Sequence, residues 1–183
     1  FTINGILHAV GTDTDPIVFT CWRDDTAGGD TNADGASTGA QGDWEALYCN
    51  DGSDGSQLIN VEVRYAGNCY HTGHSGGYRP SLEITGADVT LQEVLVEEAD
   101  SVGIKINSGN PTLTKVTVDH ARHAGIESSL GAAVSYSTIE VIASGLNGVL
   151  QHGGTLGSDR TMDYGGLAVH IDGDITVAAG TAL

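Results

Sequence analysis

Apolar residues recur in this chain at a fixed interval of 22 or 23 positions, and that interval constrains the fold more than any other feature of the sequence. Leu91, Leu113 and Tyr136 correspond, as do Val94, Val116 and Ile139, then Val96, Val118 and Val141, and then Ile104, Ile126 and Val149. Within each unit apolar and polar residues alternate over short stretches such as Val94-Leu95-Val96 and Ile104-Lys105-Ile106, separated by Gly, Asn, Ser and Asp. Helical repeats would need apolar residues three and four apart over ten or more positions, and the repeat contains none. Short period-two strands recurring at this interval are what the coils of a parallel β-solenoid require, each coil lying about 4.8 Å above the last so that equivalent side chains form ladders.

The ladder extends upstream once insertions are allowed for. Leu82-Glu83-Ile84 and Leu47-Tyr48-Cys49 match Ile104-Lys105-Ile106, while Leu58, Val61 and Val63 match Leu113, Val116 and Val118. Phe19 aligns with Val118. The stretch from Val63 to Leu82 is 11 residues longer than its counterpart from Val96 to Ile104, and that from Phe19 to Leu47 is 20 longer. Both additions fall at one corner of the coil, on neighbouring rungs. The expectation is an all-β single domain over residues 1–183, a right-handed parallel β-helix of about six to seven coils of 22–23 residues, with insertions at about 22–42 and 66–80. Loops that grow from one edge of a solenoid commonly form its functional face.

The first insertion reads WRDDTAGGDTNADGASTGAQG. In it Asp30-x-Asn32-x-Asp34-Gly35 has the oxygen-ligand spacing of a calcium loop, with Gly at the position of the sharp turn. Asp24 and Asp25 are close enough to complete a shell, which gives Asp24, Asp25, Asp30, Asn32 and Asp34 as candidate calcium ligands. Position twelve is Gln41 rather than a bidentate Glu, and no helices flank the loop, so a calcium-sensing switch is not the expectation. The competing reading is a solvated Asp/Gly turn.

The second insertion reads AGNCYHTGHSGGYRP. Cys69, His71 and His74 are suitable transition-metal ligands, but their spacing is short and a fourth ligand is not evident. The favoured reading is a Gly-rich surface loop with exposed Tyr70, His71 and Tyr78; a further hypothesis makes Tyr70, His71, His74 and Tyr78 a ligand-contact loop whose aromatic and His side chains stack on sugar rings. His120, Arg122 and His123 occupy the same corner on a later rung, and Glu97, Glu98 and Asp100 the rung between. They read either as a hydrated corner or as an extended cation or carbohydrate groove. Three cysteines cannot all pair within the chain. Cys49 aligns with inward Ile84 and Ile106 and reads as a buried free thiol, whereas Cys21 and Cys69 reach the same corner one rung apart and are a candidate disulfide stapling the bases of both loops.

Charge bears on partners. Lys and Arg number 7 against 24 Asp and Glu, a formal charge of −17, which repels phosphate backbones and anionic head groups. Nucleic acid is therefore not an expected partner. No apolar run reaches the roughly 18 residues of a membrane span, so membrane insertion is not expected either.

Several runs carry a family resemblance: NGILHAVGTDTDPIVFT at 4–20, DDTAGGDTNADG at 24–35, GDWEALYCNDGSDGSQLINVEVRYAG at 42–67, NPTLTKVTV at 110–118 and ITVAAGTAL at 175–183. They resemble the right-handed parallel β-helix repeat modules of large secreted and surface proteins of bacteria and archaea. The resemblance implies a three-faced coil related in shape to pectate lyases, an extracellular or cell-surface location, and adhesive, structural or polysaccharide-directed roles. Cys21, Cys49 and the Cys69–His74 loop depart from the usual module. In that family a segment like Asp174–Leu183 opens a module and one like Phe1–Val10 follows further strand, so the chain reads as one unit of a longer array or as a subunit that stacks end to end into a fibre.

Two functions compete at this level. One is a non-enzymatic, calcium-binding structural or adhesive module whose partners are its own copies, neighbouring β-helix modules or extracellular polysaccharide. The other is a calcium-dependent polysaccharide lyase, a glycoside hydrolase or a carbohydrate-binding module. A lyase needs a base beside cation-bound uronate, for which Arg23, Arg64 and Arg79 are the candidates, and a hydrolase needs two facing carboxyl groups. No signature ties any of these residues to catalysis, so the non-enzymatic reading is preferred.

Overall fold

The computed structural model describes residues 1–67 and 79–183. The described residues form no helix; they form thirteen strands, β1 (Thr2–Ile3), β2 (His8–Val10), β3 (Ile17–Phe19), β4 (Leu47–Cys49), β5 (Gln57–Arg64), β6 (Leu82–Ile84), β7 (Thr90–Glu97), β8 (Ile104–Ile106), β9 (Thr112–Asp119), β10 (Ala124–Ser128), β11 (Ser135–Ile142), β12 (Leu146–Leu156) and β13 (Val169–Val177). They make two parallel sheets. The first has seven strands in the order β1-β4-β6-β8-β10-β12-β13, and the second has six, β11-β9-β7-β5-β2 with β3 also paired to β5. From β4 to β12 the chain alternates between the sheets, adding one strand to each in turn.

Residues that the sequence aligns at offsets of 22 and 23 are register partners. Leu91 pairs with Leu113 and Leu113 with Tyr136; Val96 pairs with Val118 and Val118 with Val141. In the other sheet Leu47, Leu82, Ile104, Ile126 and Val149 are successive partners. Because alternate side chains of a strand face opposite ways, these ladders place Leu47, Leu82, Ile104, Ile126 and Val149 opposite Leu58, Leu91, Leu113, Val61, Val94 and Val116 in one apolar core, all of them buried. Cys49 lies in it with Ile84 and Ile106 as a buried free thiol, and burial pushes that thiol up to about 12.

The long strands of the second sheet have a feature that simple alternation does not anticipate. Leu58 and Val61 are both buried although three positions apart, as are Leu91 and Val94, and Leu113 and Val116. In an extended strand such a pair would face opposite sides. The intervening residues Asn60, Glu93, Lys115 and Thr138 resolve the conflict by adopting left-handed backbone, φ 49°, 54°, 52° and 56°, so that each strand turns there and keeps both neighbours inward. The register skips these four residues. Non-glycine residues in this region cost about 1–2 kcal/mol each, and the ladder offsets part of that through the Lys115–Glu93 ion pair at 2.6 Å. A second set, Tyr65, Glu98, His120 and Ala143, is also left-handed and ends the same four strands. This second set marks the corner at the ends of β5, β7, β9 and β11.

The turns that precede β5, β7 and β9 cap one another in succession. Asp54 accepts from the Asp88 backbone N–H at 2.8 Å, and Asp88 in turn accepts from that of Asn110 at 2.7 Å. The Asp51–Gly55 run is thus a turn whose carboxylate satisfies the neighbouring strand's approach. Gly103 and Gly125 sit where no side chain fits: a Cβ would lie 2.3 Å from Val118 at the first and 2.1 Å from Val141 at the second.

Candidate metal centre and the polar edge

The 22–42 segment leaves β3 through Cys21 and folds back on the corner lined by Tyr65 and His120. Gln41 Nε2 donates to the His120 carbonyl at 2.9 Å, and Gly39 lies flat on the Tyr65 ring, where a Cβ would be 2.2 Å from it. The loop is therefore fastened at the end of β9 as well as at the end of β5. Its inner turn follows from Asx chemistry. Asp30 accepts from the backbone N–H of Asp34 at 3.2 Å and of Gly35 at 3.1 Å, and Asn32 bridges to Asp34. Gly35 takes φ 91°, a region that glycine enters without steric cost.

Three of the five candidate calcium ligands are brought together: carboxylate oxygens of Asp25, Asp30 and Asp34 lie within 4.8 Å of one another. Asp25 Oδ2 is held by the Ser37 backbone N–H at 2.6 Å, whereas Asp25 Oδ1 is buried with no hydrogen-bond partner. Among the described residues no ion pair reaches any of the three. A cluster of like charges with one orphaned oxygen is a donor set suited to a hard cation, which takes oxygen ligands and neutralises their repulsion. Asn32 stays in the turn beside them.

Asp24 goes elsewhere. Its side chain turns inward, 3% exposed, where Thr20 donates to it at 2.8 Å, Thr26 donates from both hydroxyl and backbone, and Arg64 lies 3.7 Å away. Burial works to raise this carboxyl, but the Thr26 and Thr20 hydrogen bonds and the Arg64 charge outweigh it and hold it below its ordinary value. Arg64 itself meets Glu62, Glu97 at 2.9 Å and Asp24, and those carboxylates, acting against burial, raise its guanidinium further above its ordinary value. That is the wrong direction for a proton-abstracting base. Arg23 stacks over Trp22 at 5.2 Å, and Arg79 is near enough to Tyr48 to oppose the burial and Glu45 that push that phenol up to about 12. The candidate lyase bases are not assembled around the carboxylate trio.

Cys21 donates its thiol to Asp43 Oδ2 at 3.3 Å. Its candidate partner Cys69 and the contact-loop residues Tyr70, His71, His74 and Tyr78 lie outside the described residues. Further along the corner Arg122 pairs with Asp100, 22 residues earlier, at 2.7 Å, whereas His120 pairs with its own chain neighbour Asp119 at 2.7 Å.

The outer face of the first sheet carries a second polar array that the sequence reading missed. Glu83, Lys105 and Glu127 are successive outward register partners. Glu127, 8% exposed, lies 2.7 Å from both Lys105 Nζ and His152 Nε2, and His152 Nδ1 lies 3.5 Å from Asp172. Beside it opens a cleft of about 500 Å³ bordered by Val102, His123, Leu146, Leu150 and His170. The spacing of 22 between Lys105 and Glu127 could have flagged the pair, but His152 joins it across a rung, 25 residues from Glu127. Burial raises the Glu127 carboxyl, yet hydrogen bonds and charge from Lys105 and His152 leave it below its ordinary value of 4.5. The stabilisation this group supplies is therefore complete above 4.5 and is lost as pH falls through the lower folded value. Glu127→Gln is expected to cost about 1–3 kcal/mol near neutral pH and to reduce the acid-side slope of stability, read from melting temperature against pH.

No protein-family model, no curated protein and no solved structure matches this chain.

Proposed function

We propose that the two sheets are faces of a right-handed parallel β-helix and that the protein is a calcium-binding structural or adhesive module working outside the cell. The observation that carries the cation reading is the Asp25, Asp30 and Asp34 trio with its buried, unpartnered Asp25 oxygen. Three carboxylates, two of them on an exposed turn, suit the weak calcium sites of extracellular modules, with dissociation constants of about 10⁻⁴–10⁻³ M. Constant register at offsets of 22 and 23 and repeated left-handed corner residues support the solenoid. Exposed apolar residues on outermost strands, Val10 on β2 and Ile171 on β13, support stacking against another copy or a neighbouring module. Among the described residues no helix is long and apolar enough to cross a membrane.

Calorimetric titration with calcium tests the cation reading. Calcium at a hundredfold excess over its dissociation constant is expected to raise stability by about 2.7 kcal/mol, and a chelator is expected to abolish the gain. Asp25→Asn and Asp30→Asn should each remove most of it. Identical melting curves with calcium and with chelator would refute the cation site, and sedimentation showing only monomers at high concentration would refute self-stacking.

A further inference from the structure

Near β13 the core ladders change character. In the first sheet the inward position held by Cys49, Ile84 and Ile106 passes to Ser128 and then to Gln151, which are 3% and 2% exposed. In the second sheet the position held by Leu58, Leu91 and Leu113 passes to Tyr136. All three replacements line one cavity of about 310 Å³, walled on its outer side by the Arg160–Tyr164 segment. Aliphatic residues would have closed this space and added burial energy, so hydroxyl and amide groups here weaken the core unless something occupies them.

The polar groups are only partly spent within the chain: Gln151 Nε2 donates to the His152 carbonyl at 3.2 Å and Ser128 Oγ to the Ser129 carbonyl at 3.4 Å. Tyr136 Oη is buried and meets no partner at good hydrogen-bonding geometry, although the neighbouring Ser128 hydroxyl opposes the burial that raises this phenol. Tyr164 Oη donates to Gln151 Oε1 at 3.0 Å, and the two tyrosine rings stack with centroids 6.0 Å apart at 26°. Arg160 spends one Nη1 bond on the Leu130 carbonyl at 2.6 Å, and Asp163 stands in the same wall. One cation and one anion leave the lining without net charge, inside a protein whose surplus charge of −17 repels anions. Buried hydroxyl and amide groups, aromatic rings and a neutral lining suit a small uncharged molecule with many hydroxyls. The volume is at the lower end of about 300–1,000 Å³ for ligand pockets.

We infer that this cavity is a binding site for a neutral sugar unit, a monosaccharide or the end residue of a glycan, with Tyr136, Gln151 and Ser128 making its polar contacts. It is separate from the carboxylate trio and does not depend on the cation reading. The test titrates the protein with glucose, galactose, mannose and N-acetylglucosamine, and with galacturonate as the charged control, following the Gln151 side-chain amide in ¹H–¹⁵N spectra. At least one neutral sugar is expected to saturate with a dissociation constant of about 1 mM and to shift that amide, galacturonate binding at least tenfold more weakly. Tyr136→Phe keeps the ring and is expected to weaken binding about tenfold; Gln151→Leu is expected to abolish it. Asp25→Asn and added chelator are expected to leave it unchanged. Absence of saturation by all four sugars overturns the inference, as does binding that Tyr136→Phe and Gln151→Leu, both shown folded by their spectra, leave intact.

Discussion

Leu113→Ala is expected to lower stability by about 2–5 kcal/mol, among the largest losses a single truncation in this chain can produce. Leu113 is fully buried, with Leu91 on one side and Tyr136 on the other in the same ladder. The cost depends on whether neighbours can move into the vacated volume. Here they cannot readily do so, because β9 is hydrogen-bonded along its length to both β7 and β11, and the spacing between parallel strands fixes how closely successive rungs approach. Urea unfolding should show a lower midpoint with an unchanged slope. Leu95→Ala is the matched control: Leu95 lies in β7 of the same sheet but is partly exposed, so its change should stay within about 0.5 kcal/mol. Equal losses at the two sites would mean that the ladder is not the core.

The ladder itself was readable before any coordinates, since a period of 22 or 23 and a period of two inside each unit are properties of residue type alone. The bends were not. Gly or Asn would announce a left-handed position, but Glu93, Lys115 and Thr138 occupy three of the four, and only the three-residue spacing of Leu91 to Val94 hints that something must turn between them. Asp30, Asn32 and Asp34 were legible because their chemistry is local to one turn. The inward turn of Asp24 was not, because its hydroxyl donors Thr20 and Thr26 carry no motif and its charge partner Arg64 lies forty positions away on β5. The Glu127 array and the polar cavity share that difficulty: each is assembled by register between rungs, from residues with no common motif.

Arg64→Met should show how much of the loop's geometry depends on one residue. The side chain is 20% exposed and serves Glu62, Glu97 and Asp24 at once, the last with a fully buried carboxylate, and its Nη1 also donates to Thr26 at 3.1 Å. Methionine retains much of the stem's packing and removes the charge, leaving three carboxylates facing one another. Breaking a fully buried pair costs about 3–5 kcal/mol, and partial exposure here reduces the expectation to about 2–4 kcal/mol at neutral pH. The pH dependence separates this from loss of packing. Glu97 is already raised by burial, with Glu62, Asp119 and Glu98 adding to the rise and Arg64 opposing it. Without Arg64 its folded value climbs further, so the penalty is full at neutral pH, shrinks as pH falls through that raised value, and vanishes only below the ordinary value of 4.5, where the carboxyl is protonated in both states. The variant should therefore lose less stability relative to the parent at pH 5 than at pH 7. A deficit that stays constant across that range would assign Arg64 a packing role alone. Glu97→Gln in the same background should recover part of the loss, a coupling measurable as a double-mutant cycle. Asp24 links this to the cation reading: held by Arg64 on one side, it leaves the adjacent Asp25 to face Asp30 and Asp34. If the trio holds calcium as proposed, Arg64→Met is accordingly expected to weaken that binding as well, although Arg64 is not among the proposed ligands.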